Sequence, residues 1–84
     1  MKVHVVKSSM RFFYDYKNGN KTNSLRKDDR GYSVGDLCVI FPTEDGDRVL
    51  YGEEPAVKKI SHIVRDSDFK DMPEGYCLLS FKEV

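Results

Sequence analysis

Lys21, Thr22, Ser24 and Arg26 stand within one six-residue stretch. An ammonium, two hydroxyls and a guanidinium at this spacing suit a polar, planar or anionic ligand. Arg offers a rigid fork of donors, and hydroxyls both donate and accept. Thr22, Ser24 and Arg26 alternate with Asn23, Leu25 and Lys27, and a period of two puts them on one face of a strand. Lys21 just precedes that strand, and its long stem can reach over the same face. The bland alternative is a solvated strand face. The stretch also admits covalent chemistry. A Ser nucleophile needs a neighbouring base, and a Lys serves when burial lowers its pKa. Lys21 and Ser24 are therefore candidate catalytic residues, in a constellation that still needs an acidic or orienting third group.

Around this stretch Lys17, Lys21, Arg26, Lys27 and Arg30 fall close together, with Lys7 and Arg11 nearby. Phosphate binding needs such charge, and RNA recognition adds stacking on aromatic rings. Tyr14, Tyr16 and Tyr32 can supply the rings. Asp28 and Asp29 interrupt the cluster, and an Asp29–Arg30 ion pair is the competing use of that charge. His4 joins the candidate contacts if its strand brings it beside Lys7 and the Lys21 loop; otherwise it is a satisfied structural histidine. The candidate RNA- or ligand-binding set is His4, Lys7, Lys17, Lys21, Thr22, Ser24, Arg26, Lys27 and Arg30.

The 84 residues carry 14 Lys+Arg and 14 Asp+Glu, a net charge of zero. The two signs are segregated. Residues 1–34 hold eight basic and three acidic residues, a balance of +5, and residues 35–84 hold six basic and eleven acidic, a balance of −5. Segregation of this kind points to an anionic partner for one face. The acids at Glu44, Asp45, Asp47, Glu53 and Glu54 instead suit solvated hairpin surface or a basic protein partner. Ten Phe and Tyr residues argue against disorder. The longest apolar run, Leu37–Phe41, is far short of the roughly 20 residues of a membrane span. No apolar leader follows Met1. The expectation is a soluble, cytoplasmic protein with no membrane partner. Cys38 and Cys77 lie far apart in apolar runs without metal-ligand spacing, which suggests buried thiols, no metal and no cofactor.

These residues need elements to position them. Val3 and Val5 suggest a first strand. Ser8 and Ser9 are natural N-caps for a helix of about ten residues, which Gly19 ends. A polar-faced strand follows over 22–27, with Leu25 its one core residue, and then a charged loop over 27–33. Val34-Gly35-Asp36 is a turn into the strand Leu37–Phe41. Pro42 to Asp47 reads as a hairpin turn into Arg48–Tyr51. Val57–Val64 and Tyr76–Phe81 complete about six strands, with a helical turn expected within 67–74. Phe12, Phe13, Phe41, Ile60, Ile63, Leu78 and Phe81 are the expected core. Short strands in so small a chain suggest a barrel, since closure removes exposed edges.

The segment 18–36, NGNKTNSLRKDDRGYSVGD, resembles the ASCH domain family of the PUA-like superfold. The matching positions are Gly19, Lys21, Thr22, Arg26, Gly35 and Asp36. A branch of small proteins with an Arg-Lys-x-Asp-Arg-x-[Phe/Tyr]-x-Val-Gly-Asp segment is matched further by Lys27, Asp29, Arg30, Tyr32 and Val34, and by the opening His4 and Lys7. The close match covers about a third of the chain. It implies an α+β, mainly β fold: one ASCH/PUA-like domain over 1–84, a mixed barrel of about six strands with one main flanking helix. It also implies RNA or a nucleoside-like small molecule as partner, bound beside the helix and the Lys-Thr loop. A bacterial relative of similar size is an amidohydrolase acting on N4-acetylcytidine, whose catalytic Lys and hydroxyl fall on Lys21 and Ser24. The catalytic Glu of that relative has no assigned counterpart here. Three readings follow: an RNA- or nucleotide-binding module, a small amidohydrolase, or a protein-interaction regulator using the acidic hairpin.

Overall fold

Val3–Ser9 forms β1, a strand in which His4, Val6 and Ser8 turn inward while Val3, Val5 and Lys7 face out. The computed structural model describes residues 1–84. The helix α1, Met10–Lys17, follows directly. It is eight residues rather than about ten, and Ser9, at the N-cap position, makes no side-chain capping bond. Gly19 ends it as expected. Its φ of 83° is left-handed, open to glycine at little cost, and its N–H donates to the Tyr16 carbonyl at 3.3 Å.

The remaining strands are β2 (Asn23–Lys27), β3 (Leu37–Glu44), β4 (Arg48–Val49), β5 (Ala56–Arg65) and β6 (Tyr76–Lys82). They form one mixed sheet in the order β1-β3-β5-β6-β2, with β4 paired to β3. Only the β1–β3 pair is parallel. The sheet curls into a half-barrel flanked by one helix, a mainly β member of the α+β class. β3 runs on through Pro42 and Thr43, which the sequence pattern assigns to a turn. Proline has no N–H to give a ladder, but β1 still pairs alongside it, and the Thr43 hydroxyl donates to the Ser8 carbonyl at 3.1 Å. The region 67–74 holds turns and no helix. No helix is long and apolar enough to cross a membrane.

The core comprises Val6, Phe13, Tyr16, Tyr32, Cys38, Ile40, Ala56, Ile60, Cys77, Leu79 and Phe81. Phe13, Ile60 and Phe81 are buried as expected. Phe41, Ile63 and Leu78 are only partly buried, and Phe12 and Leu25 are exposed. The Leu25 expectation fails because of register. Ser24 pairs with Leu79 and Arg26 with Cys77, and those β6 partners are fully buried. Side chains opposite one another in a ladder share a face. Ser24 and Arg26 therefore take the inner face, and Leu25 is turned out.

Both cysteines are free and buried, as their apolar surroundings imply. Burial pushes the Cys38 thiol up to about 11 and raises that of Cys77. The thiolate is the reactive form. Ellman's reagent at neutral pH is therefore expected to leave both thiols of the native protein unmodified and to titrate both in denaturant. Rapid modification before unfolding would contradict this burial.

Candidate nucleotide-binding cleft

β1 and β2 are the two unpaired edges of the half-barrel. Side chains rather than a ladder join them. Arg26 of β2 donates to the Lys7 carbonyl of β1 at 3.0 Å, and Arg30 donates to the Val5 carbonyl at 2.6 Å. The Tyr16 hydroxyl of α1 donates to the Asn23 carbonyl at 2.9 Å. A cleft of about 550 Å³ opens along this seam, within the roughly 300–1,000 Å³ of typical small-molecule sites. A closed barrel would have had no such seam.

Five cations line the cleft: Lys7, Lys21, Arg26, Lys27 and Arg30. Asp29 is the one carboxylate. Phe12, Tyr16, Tyr32 and Tyr76 are the aromatic members. Six of the nine expected binding residues thus converge here, namely those lysines and arginines together with Ser24. Sequence reasoning missed Phe12 and Tyr76. Phe12 has the helical spacing of a core residue, but α1 spends its buried face on Phe13 and Tyr16. The Phe12 ring carries the Lys21 ammonium 4.9 Å from its centroid and the Arg11 guanidinium at 5.4 Å, within cation–π range.

Three expected residues lie outside. His4 points inward by the alternation of β1. Its Nε2 meets the Asp36 carboxylate at 2.9 Å, and its ring packs on Tyr32 at 4.7 Å. An ionised carboxylate can only accept, so Nε2 carries the hydrogen. His4 therefore supports Tyr32 from behind the cleft. Lys17 turns toward the acidic segment and donates to the Glu54 carbonyl at 2.9 Å. Beside it the Tyr14 hydroxyl donates to Glu53 at 3.0 Å, a bond that raises the Tyr14 pKa. Part of the acidic stretch is thus docked on the helix. Thr22 lines a second, smaller hollow with Lys58, Lys82 and Glu83, where its carbonyl accepts from the Phe81 N–H at 2.8 Å.

Lys21 and Ser24 share the cleft but do not bond one another. The Lys21 ammonium donates to the Asn23 side chain at 3.1 Å, and the Ser24 hydroxyl accepts from Arg26 at 3.3 Å. The Asp29–Arg30 ion pair, the competing use of that charge, does not form; Arg30 is committed to β1.

The loop between β2 and β3 is held on several sides. Arg65, a residue the sequence pattern did not single out, pairs with Asp28 and donates to the Tyr32 carbonyl at 2.7 Å. The Asp28 N–H donates to the Gly75 carbonyl at 2.8 Å. Tyr32 is 2% exposed. Burial raises its pKa, while Arg26 and Arg30 pull it down. Further along, Gly35 has a φ of 96°, and Asp36 receives the N–H groups of Lys2 and Ser33, both at 3.0 Å. Those two bonds and His4 hold the Asp36 carboxyl down at about 2.

A family model described as a domain of unknown function (DUF3850) matches residues 3–81. No curated protein matches the chain.

Proposed function

The chain belongs to the DUF3850 family, and we propose that it is an RNA- or nucleotide-binding module of ASCH/PUA-like type, with its ligand in the seam cleft. The observation that carries this reading is the gathering of five cations and four aromatic rings against one carboxylate. Cations on this scale suit phosphates, and the accessible rings of Phe12 and Tyr76 suit bases that are splayed out of a helix, while Tyr16 and Tyr32 are buried walls of the cleft. The position beside α1 and the Lys-Thr loop supports it further, as does the resemblance of residues 18–36 to ASCH domains.

Titration with short single-stranded RNA across a salt series tests the proposal. A site that neutralises about four phosphates has a log–log salt slope near −2.8, which weakens affinity about 50-fold between roughly 50 and 200 mM salt. Absence of binding at low salt overturns the proposal. Release of cytidine from N4-acetylcytidine, lost in Lys21→Ala, would replace a pure binding role with hydrolysis.

A further inference from the structure

Asp29 does not fit a groove made only for phosphates. It is exposed, and no basic side chain pairs with it. Phosphate oxygens are acceptors carrying negative charge, so an unpaired carboxylate beside them is repulsive. Its presence among five cations calls for a ligand that also brings donors.

Tyr32 supplies the second observation. The residue is almost wholly buried, yet its hydroxyl bonds no group of the protein. No side-chain polar atom that is fully shut off from solvent lacks a partner, so this hydroxyl reaches solvent, and Tyr32 lines the cleft. Arg26, Asp29 and Arg30 line the same cleft, so the acceptor carboxylate, the free hydroxyl and the guanidinium donors border one space. The loop that carries them is anchored by Arg65, by the Gly75 carbonyl and by the bond from Arg30 to β1. Binding therefore has little ordering of this loop to oppose it.

Guanine complements this set better than the other bases. Its Watson–Crick edge presents two adjacent donors, N1–H and N2–H, beside the acceptor O6. A carboxylate has two oxygens to take both donors. Adenine and cytosine offer one exocyclic amino group beside ring acceptors, and uracil offers a single N–H between two carbonyls. Building on the cleft proposed above, we propose that Asp29 and Tyr32 make the site selective for guanine. Asp29 accepts from N1–H and N2–H, the Tyr32 hydroxyl donates to O6, and the surrounding cations hold the backbone. Asp29 and Tyr32 are the specificity-determining residues.

The test compares the pentamers UUGUU, UUAUU, UUCUU and UUUUU on the wild-type protein, Asp29→Asn and Tyr32→Phe. Asp29 is exposed and the Tyr32 hydroxyl bonds nothing in the protein, so both variants should fold. Wild type is expected to favour UUGUU by about 10- to 100-fold, the discrimination typical of one bidentate base contact. Asp29→Asn should lose that preference while binding UUUUU at least as well, because a repulsive charge has gone. Tyr32→Phe should narrow the preference, and inosine, which lacks the N2 amino group, should fall between guanosine and uridine. If Asp29→Asn strengthens all four RNAs equally, Asp29 is only an opposing charge and the inference is overturned. Equal wild-type affinity for all four also overturns it while leaving the RNA-binding cleft standing. Failure to bind any pentamer at low salt removes the cleft reading itself.

Discussion

Lys7→Glu/Lys27→Glu is expected to weaken RNA binding about 100-fold at low salt and to reduce the steepness of its salt dependence by at least about 1.4 log units per log unit. Both lysines are exposed cleft residues whose ammonium groups make no hydrogen bond within the protein. Their reversal removes attraction for phosphate without breaking a structural contact, and substitutions of this kind usually leave stability within about 0.5 kcal/mol. Arg26 and Arg30 would give a less interpretable result, because their guanidiniums bridge to the free carbonyls of β1. Lys70→Glu, exposed and outside the cleft, is the control. Fluorescence anisotropy at several salt concentrations reads all three proteins. Equal losses in Lys70→Glu and the double variant would show that net charge, not the cleft, governs binding.

The second large effect is on stability. Asp36→Ala is expected to lower Tm by roughly 10 °C or more, since a cost of even a few kilocalories shifts a domain of this size by that much. The carboxylate receives two backbone N–H groups and the His4 ring, and truncation leaves these donors without a partner in the protein. The backbone is tied at the same place: the Ile60 N–H donates to the Asp36 carbonyl and the Gly35 N–H to the Ile60 carbonyl, both at 2.8 Å. β1, β3 and β5 therefore meet at this turn.

The same group dictates a pH response. The Asp36 carboxyl titrates at about 2 in the folded protein, against an ordinary value of 3.8. The unfolded chain therefore takes up its proton first as pH falls. The stabilisation is complete above about pH 4, drains away between about pH 4 and 2, and is gone below that window. Thermal melts of wild type and Asp36→Asn over this range check it. The wild-type curve should fall more steeply than the variant's, and parallel curves would contradict the assignment.

The elements were legible in the sequence because each one is local. Apolar, β-branched and alternating runs marked the strands, and Ser8, Ser9 and Gly19 bracketed α1. The cleft was partly legible for a related reason. Its five cations all lie between Lys7 and Arg30, so one segment and the strands flanking α1 carry them together. The zero net charge concealed this, and the +5 balance of the first 34 residues revealed it. At the cleft the fold keeps that charge concentrated, while Glu53 and Glu54 meet α1 at Tyr14 and Lys17.

What the chain could not reveal were relations across long separations. A period of two defines two faces of a strand but does not say which is inside. For β2 the pairing with β6 decides it. Because Cys77 and Leu79 are buried, Ser24 and Arg26 face in and Leu25 faces out, against the hydropathy of the residues themselves. Arg65 reaches Asp28 and Tyr32 only after the sheet has curled. His4 reaches Asp36 only once β1 has paired with β3, which turns a candidate ligand contact into the support for Tyr32. The free state of Asp29 likewise follows from the distant Val5 carbonyl, which claims Arg30. Residue types and local spacing thus determined the strands, the helix and the basic segment. Strand register and the unclosed β1–β2 seam decided which of those residues share a cleft, because sidedness and long-range partners are set only when the strands pair.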